Sequence, residues 1–454
     1  LKKSFQEIPG SICAPRGFKA AAVFCDIKRI GTGKGSEKGR KDDLALIVSE
    51  VPAAVAGMFT TNQVCAAPVK VSARNAARKF ARAIVVNSGN ANACTGAQGM
   101  KDAQEMARMT AKAVAAVYDR RRPKRSAVID RRYNVVAEEV LVCSTGRIGV
   151  PMPMANVKRG IADAAHRLAA SPSNARRAAE AIMTSDTRRK EIAIEFELGG
   201  ARVRLGGICK GAGMIQPGMS RTGRGPAAGL HATMLAFLTT DAAIEPRLLK
   251  NMLENAVAQS FNRITVDGDM STNDTVLILA NGMAGNAGLD RDVFQRAINF
   301  VTLELAKMIV RDGEGVTRFI TLRVQGARTE ADAEAVARAV ANSTLVKTSW
   351  FGGDPNWGRI LCAIGYSNAK VNEVTVDVGY SSPEKTKITF AVRGGQPTRV
   401  GLQTLGAIVA QPEFDLHIFL NAGRHDCVLY TSDLTEEYVE FNKGNLSDPK
   451  SLGG

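Results

Sequence analysis

The sequence predicts a mixed α/β (α+β) fold of packed layers, and three observations carry that expectation. Short β-branched runs ending in turn residues alternate with amphipathic runs through the N-terminal half. Glycine is abundant (43 residues) while aromatics make up only 5% of the chain, which favours layers in close backbone approach. From about 318 to 430, strands and helices mix into what reads as a compact α+β unit. A length of 454 residues, 45% of them hydrophobic, is ample for a sizeable core and suits about two to three domains.

Taken in order, LALIVSEV (44–51) and AIVVNSG (83–89) read as strands. KDAQEMARMTAKAVAAVY (101–118) places apolar residues three and four apart and reads as an amphipathic helix. SPSNARRAAEAIMTSDT (171–187) opens on Ser and Asn caps and an alanine-rich run, so it is predicted helical throughout. EIAIEFEL and ARVRLGGI alternate with period two about Gly199-Gly200, the pattern of a hairpin. Residues 245–262 read as a helix, 274–282 as a strand and 290–312 as a long helix. Beyond them, 320–327 is a strand and 330–343 a helix. Residues 370–380, 387–394 and 414–420 are further strands. No internal repeat or low-complexity tract interrupts the pattern.

The net charge is +16, from 60 basic and 44 acidic residues. Basic clusters lie at 29–41, at 119–132 and in pairs near 176 and 188. They carry no interleaved aromatics and no zinc or helix-turn-helix spacing. They therefore read as solvated loops and sites for anionic substrates, not as a nucleic-acid surface. Eight scattered cysteines, most in apolar contexts, read as reduced and buried. Cys143 beside Ser144-Thr145-Gly146 is a conceivable nucleophile without a histidine partner. Four dispersed histidines and unclustered cysteines give no metal-ligand spacing, so no metal and no cofactor is expected. Residues 1–10 lack an apolar core, and no run reaches the length of a membrane helix. The chain opens on Leu1, which leaves room for a targeting segment upstream. Bacterial cytoplasm is the expected compartment, or mitochondrial matrix or plastid for a eukaryotic source.

The densest chemical signal lies between Lys210 and Asp241. KGAGMI is a glycine-rich turn carrying a lysine. Ala232-Thr233 then precedes the apolar run MLAFL. Cleavage between Ala232 and Thr233 would expose an N-terminal threonine, with a hydroxyl nucleophile and an amine base on one residue. The competing reading of Thr233 is a helix N-cap ahead of a buried helix. In CSTGRIG, Thr145 offers a hydroxyl and Gly146 an unobstructed N–H for an oxyanion, or the pair is a plain strand-end turn.

Ten segments in order resemble the ornithine acetyltransferase family, the glutamate N-acetyltransferases of arginine biosynthesis. Among them are GFKAAAVFCDIKR (17–29), VVNSGNANACTG (85–96), LVCSTGRIGVPMP (141–153), AIMTSDT (181–187) and KGAGMI (210–215). ATMLAFLTTDA (232–242), SFNRITVDGDMSTNDT (260–275), VRDGEGVTRF (310–319) and LVKTSWFGGDPNWGRILCAIGYS (345–367) follow. The resemblance implies a layered α/β/β/α core over 1–317, of the kind found in self-processing aminopeptidases. It implies a smaller α+β domain over 318–430 and a C-terminal segment, 431–454, returning to the active site. It implies self-cleavage at Ala232-Thr233, with Thr233 as nucleophile and Thr145 and Gly146 as the oxyanion hole. Thr184, Lys210, Thr233, Glu314, Asn442 and Ser447 become substrate-binding residues. The implied reaction moves acetyl from N2-acetyl-L-ornithine to L-glutamate, in an assembly of two α and two β chains without nucleic acid or membrane. Some family members also accept acetyl-CoA, and the sequence leaves that open for this chain. DPNWGR (354–359) reads as a turn supporting the site.

The chain departs from the family pattern in one telling place. SRTGRGPAAGLH (220–231) inserts twelve residues between Met219 and the cleavage site. Further additions lie near 31–38, near 120–134 and after Ser447, and Arg147 stands where an apolar residue is commoner. Two rival readings follow. One is an amidohydrolase or aminopeptidase on the same scaffold. The other is an unprocessed, non-catalytic relative.

Overall fold

The computed structural model describes residues 5–28, 40–119, 135–222, 234–383 and 387–443. The larger sheet comprises β1 (Gln6–Glu7), β2 (Phe18–Val23), β3 (Leu44–Thr60), β4 (Phe80–Asn90) and β5 (Val140–Arg147). It continues with β6 (Lys190–Leu198), β7 (Ala201–Lys210), β8 (Met219–Ser220), β9 (Leu235–Thr240) and β10 (Thr275–Ala280). Their spatial order is β1-β6-β7-β9-β10-β3-β4-β5, with β2 and β8 also on β3. The smaller sheet holds β11 (Phe319–Ala327), β12 (Asp377–Ser381), β13 (Thr389–Arg393), β14 (Gln396–Pro397), β15 (Glu413–Phe419) and β16 (His425–Ser432). Its order is β14-β13-β12-β15-β11-β16.

The larger sheet bends back on itself through β3. That strand is 17 residues long, and its register against β4 shifts between Val48 and Ala53, around the exposed Pro52. Proline cannot donate to a ladder, so it belongs at such an irregularity. Leu44–Ser49 pair with β2, while Ala54–Phe59 pair with β10. One apolar core joins Ile47 and Ile84 from one half to Ile208, Phe237 and Leu277 from the other, so the two inner faces meet.

Helices also pack on this sheet: α1 (Ala67–Ala76), α2 (Gly96–Asp119), α3 (Met154–His166), α4 (Pro172–Ala181), α5 (Pro246–Ala258) and α6 (Arg291–Arg311). Of these, α4 sends Ala175, Ala178 and Ala179 into the inner core, while α2, α3, α5 and α6 cover the outer faces. Met106 and Val114 of α2 and Ile161 of α3 pack with Leu46 and Val85 on one outer face. Leu253 of α5 and Ile298 and Leu305 of α6 pack with Ile194 and Leu238 on the other. The layering is thus α/β/β/α, made from one folded sheet. The smaller sheet carries α7 (Glu330–Asn342), α8 (Thr344–Phe351), α9 (Trp357–Gly365) and α10 (Leu402–Val409) against one face, around the fully buried Trp350. A last helix, α11 (Glu436–Phe441), starts on a Thr435 cap that accepts from the Tyr438 N–H.

Three expectations change. The helix predicted over 171–187 ends at Ala181, because Asp186 draws the backbone of the MTSDT segment into a turn. The MLAFL run is strand β9 between β7 and β10, so Thr233 does not precede a buried helix. The turn expected at DPNWGR falls just before it, at Gly352-Gly353, while Asn356 caps α9 and the partly buried Trp357 packs against the core of the smaller sheet.

Candidate active site

Three chain segments meet where β5, β7 and the turn after α4 end. β5 runs parallel to β4 and delivers Thr145 and Gly146 at its C-terminal end, the usual edge for ligands in parallel sheet. Gly146 has φ of 126°, and a Cβ there would lie 2.4 Å from the Gly89 carbonyl carbon, so only glycine fits. β7 delivers Lys210, whose Nζ donates to Thr184 Oγ1 at 2.7 Å and to Thr145 Oγ1 at 3.3 Å. Those contacts bring together three of the predicted residues from separate stretches of chain.

Beneath them lies a buried ionic floor that sequence reasoning missed. Asp186 Oδ1 accepts from Lys190 Nζ at 2.6 Å and from the Gly211 N–H at 2.7 Å, and Oδ2 accepts from the Thr184 N–H at 3.0 Å. Lys190 also reaches Asp312 at 2.5 Å and the Arg188 carbonyl at 3.3 Å. Asp312 accepts further from the N–H and hydroxyl of Thr187 and from the Arg188 N–H. Burial alone would raise the Asp186 carboxyl, but Lys190 and Lys210 outweigh it and hold Asp186 below the usual carboxylate range. Burial would likewise discharge Lys190, and its two carboxylates hold its pKa up instead. Lys210 has no carboxylate so close. Burial pushes its pKa down, Lys190 adds to that, and Asp186, Glu314 and Asp274 only partly oppose it. Asp186 and Lys190 were concealed by composition: within SDTRRKE they read as part of a solvated charge run.

Ala232, Thr233 and Ser447 lie outside the described residues. Met234, the next residue after Thr233, donates its N–H to Asp274 Oδ1 at 2.6 Å. Asp274 is a further residue that sequence alone did not single out. One step on, Leu235 stands directly opposite Lys210 in the β7–β9 ladder. The fourth side of the site is Glu314, whose N–H donates to the Ala212 carbonyl at 3.0 Å. Its carboxylate lies where a Cβ on Gly213 would intrude at 2.4 Å, so the second glycine of KGAG makes room for it. Asn442, just past α11, donates to Glu314 Oε2 at 3.0 Å. Tyr438 of α11 donates to Asp267, which accepts from the Met214 and Ile215 N–H groups, tying the helix to the KGAGMI turn.

Burial pushes the Cys143 thiol far up, which removes it as a thiolate nucleophile. Among the described residues no group of histidines, cysteines and carboxylates is arranged to hold a metal ion. No helix of the described residues is long and apolar enough to cross a membrane.

With this geometry in hand, likeness to known proteins is specific. The ArgJ family profile matches residues 20–445. The arginine biosynthesis bifunctional protein ArgJ of Symbiobacterium thermophilum is 43% identical over 440 residues, 96% of this chain and 98% of its own. The glutamate N-acetyltransferase of Methanocaldococcus jannaschii is 43% identical over 442 residues, with the same coverage of 96% and 98%. Among solved structures, the ornithine acetyltransferase of Mycobacterium tuberculosis complexed with ornithine is 35% identical. It covers 48% of this chain and 100% of its own, at a TM-score of 0.39.

Proposed function

This chain belongs to the ArgJ family of arginine biosynthesis, and on that premise we propose that it transfers acetyl from N2-acetyl-L-ornithine to L-glutamate through an acetyl-threonine on Thr233. One observation carries the reading. A buried ammonium, Lys210, is held by the hydroxyls of Thr145 and Thr184 directly across the ladder from Leu235, two residues beyond Thr233.

In this reading Thr233 Oγ first attacks the Ala232 carbonyl. The peptide nitrogen leaves as an amine and water hydrolyses the ester. The new amine then takes the Oγ proton as Oγ attacks the acetyl carbonyl of the donor. The Thr145 hydroxyl and Gly146 N–H serve the developing oxyanion. Collapse returns the proton to the departing ornithine amine and leaves acetyl on Oγ, from which the glutamate amine removes it. Lys210 and Thr184 suit the α-carboxylate. Two of the three Lys210 N–H groups reach hydroxyls, and among the described residues no carboxylate lies at hydrogen-bond distance for a substrate to displace. Glu314 suits the side-chain ammonium of ornithine, with Asn442 beside it. Ser447 completes the binding set, and the assembly is two copies of each fragment, in a reducing compartment that suits eight free cysteines.

The test begins with a denaturing gel, intact mass and N-terminal sequencing of the purified protein. Fragments of 232 and 222 residues are expected, the second beginning Thr-Met-Leu. Thr233→Ala should remain a single chain and transfer nothing. An uncut wild type that forms no N-acetylglutamate rejects the reading. Release of acetate alone moves it to hydrolysis. The same assay with acetyl-CoA as donor reads the second activity.

A further inference from the structure

We propose that Asp186 is a positioning residue for substrate carboxylates, holding Lys210 and Thr184 in place while Lys190 keeps its carboxylate from closing onto Lys210. The proposal rests on the reading of Lys210 as the carboxylate-binding group. The argument is geometric. One buried carboxylate grips the backbone of both binding segments, through the Thr184 N–H at 3.0 Å and the Gly211 N–H at 2.7 Å. Its short ionic contact goes to Lys190 at 2.6 Å, whereas Lys210 stands off at 4.0 Å. Lys190 is itself fixed, with its other contacts on Asp312 and the Arg188 carbonyl. Two carboxylates and two ammoniums thus balance in charge but not in contact. Lys190 touches both acids. Among the described residues Lys210 touches only hydroxyls at hydrogen-bond distance, which keeps its ammonium for an incoming carboxylate.

The charged groups facing Lys210 come from every side of the site. Asp186 lies in the turn after α4, Lys190 on β6, Asp274 just before β10 and Glu314 after α6. Lys28, after β2, shares the field of Asp186 and Lys210. Two substitutions change this field in opposite senses. Asp186→Asn keeps the shape but removes the nearest negative charge, leaving Lys190 to repel Lys210. Lys190→Met removes the repulsion and frees Asp186 to pair with Lys210.

The experiment is the pH profile of kcat/KM for N2-acetyl-L-ornithine with the processed enzyme and both variants. For Asp186→Asn the alkaline limb should move to lower pH by about one to three units. For Lys190→Met it should move to higher pH, with KM raised as Asp186 competes for the ammonium. General loosening of the site cannot give shifts of opposite sign. Equal-direction shifts, or none, in folded variants overturn the proposal. Should Asp186→Asn fail to fold, the sign of the Lys190→Met shift decides alone. A wild type that transfers no acetyl rejects the activity, and the proposal is then read from the pH dependence of L-glutamate binding by calorimetry. The same opposed shifts are expected there, and a wild type that binds no glutamate at any pH overturns both.

Discussion

Two regions bury lysines almost equally and treat them differently. At the floor of the candidate site Lys190 is 1% exposed; at the joint between the two sheets Lys347 of α8 is 3% exposed. Lys190 contacts two carboxylates, and its pKa is held up against burial. Lys347 has the Thr431 hydroxyl at 3.3 Å and the Ser432 carbonyl, with Asp433 and Asp267 acting only through space. Burial pulls it down to about 8. The desolvation penalty is similar, so what decides the charge is how many carboxylates touch the ammonium. Lys210 falls between these cases, with one carboxylate at 4.0 Å. A fully paired ammonium serves as structure. An incompletely paired one remains available to a ligand or to solvent protons.

The largest expected effect breaks the paired case. Lys190→Met leaves Asp186 and Asp312 buried without their shared cation and should cost about 3–5 kcal/mol in urea unfolding. A loss under about 1 kcal/mol would mean the floor is not ionic in the sense described. The next effect concerns the joint. Native Lys347 gives up its proton near pH 8, whereas the unfolded side chain keeps it to about 10.5. Between those values the unfolded state binds more protons, so stability rises with pH. Wild type should therefore gain up to about 3 kcal/mol relative to Lys347→Met across that window, and a pH-independent difference would refute the contrast. The smallest effect is at the rim, where Asn442 is exposed on Glu314. Asn442→Ala should raise KM for N2-acetyl-L-ornithine roughly three- to tenfold with little change in unfolding, as one exposed hydrogen bond warrants. An equal fall in kcat would instead place Asn442 in the reacting geometry.

Much of this was legible in the sequence where a local pattern dictates structure. Gly199 and Gly200, with φ of 55° and 77°, form the hairpin that their spacing announced. The helices at 96–119 and 291–311 follow their apolar periods, and Asp290 caps the second by accepting from the Asp292 and Val293 N–H groups. The convergence of Thr145, Thr184 and Lys210 was legible only through family resemblance, because 65 residues separate Thr145 from Lys210 and no local rule joins them. The ionic floor stayed hidden for a related reason. Asp312 lies 122 residues from Lys190, and burial of a charge is a property of the tertiary fold. Short helices such as α8 and α10 were not foreseen, since their apolar residues meet a sheet built from distant strands.

The order of strands in the folded sheet has a consequence for a cut chain. β9 and β10 lie beyond residue 233, yet they are inserted between β7 and β3, which precede it. Scission at 232/233 would leave the second piece clamped as a wedge inside the first, hydrogen-bonded along both flanks. Neither piece alone could close its ladder, so such a scission would have to follow folding. Once denatured, the two pieces would have to find each other again by collision, and recovery would depend on concentration as no single chain's does.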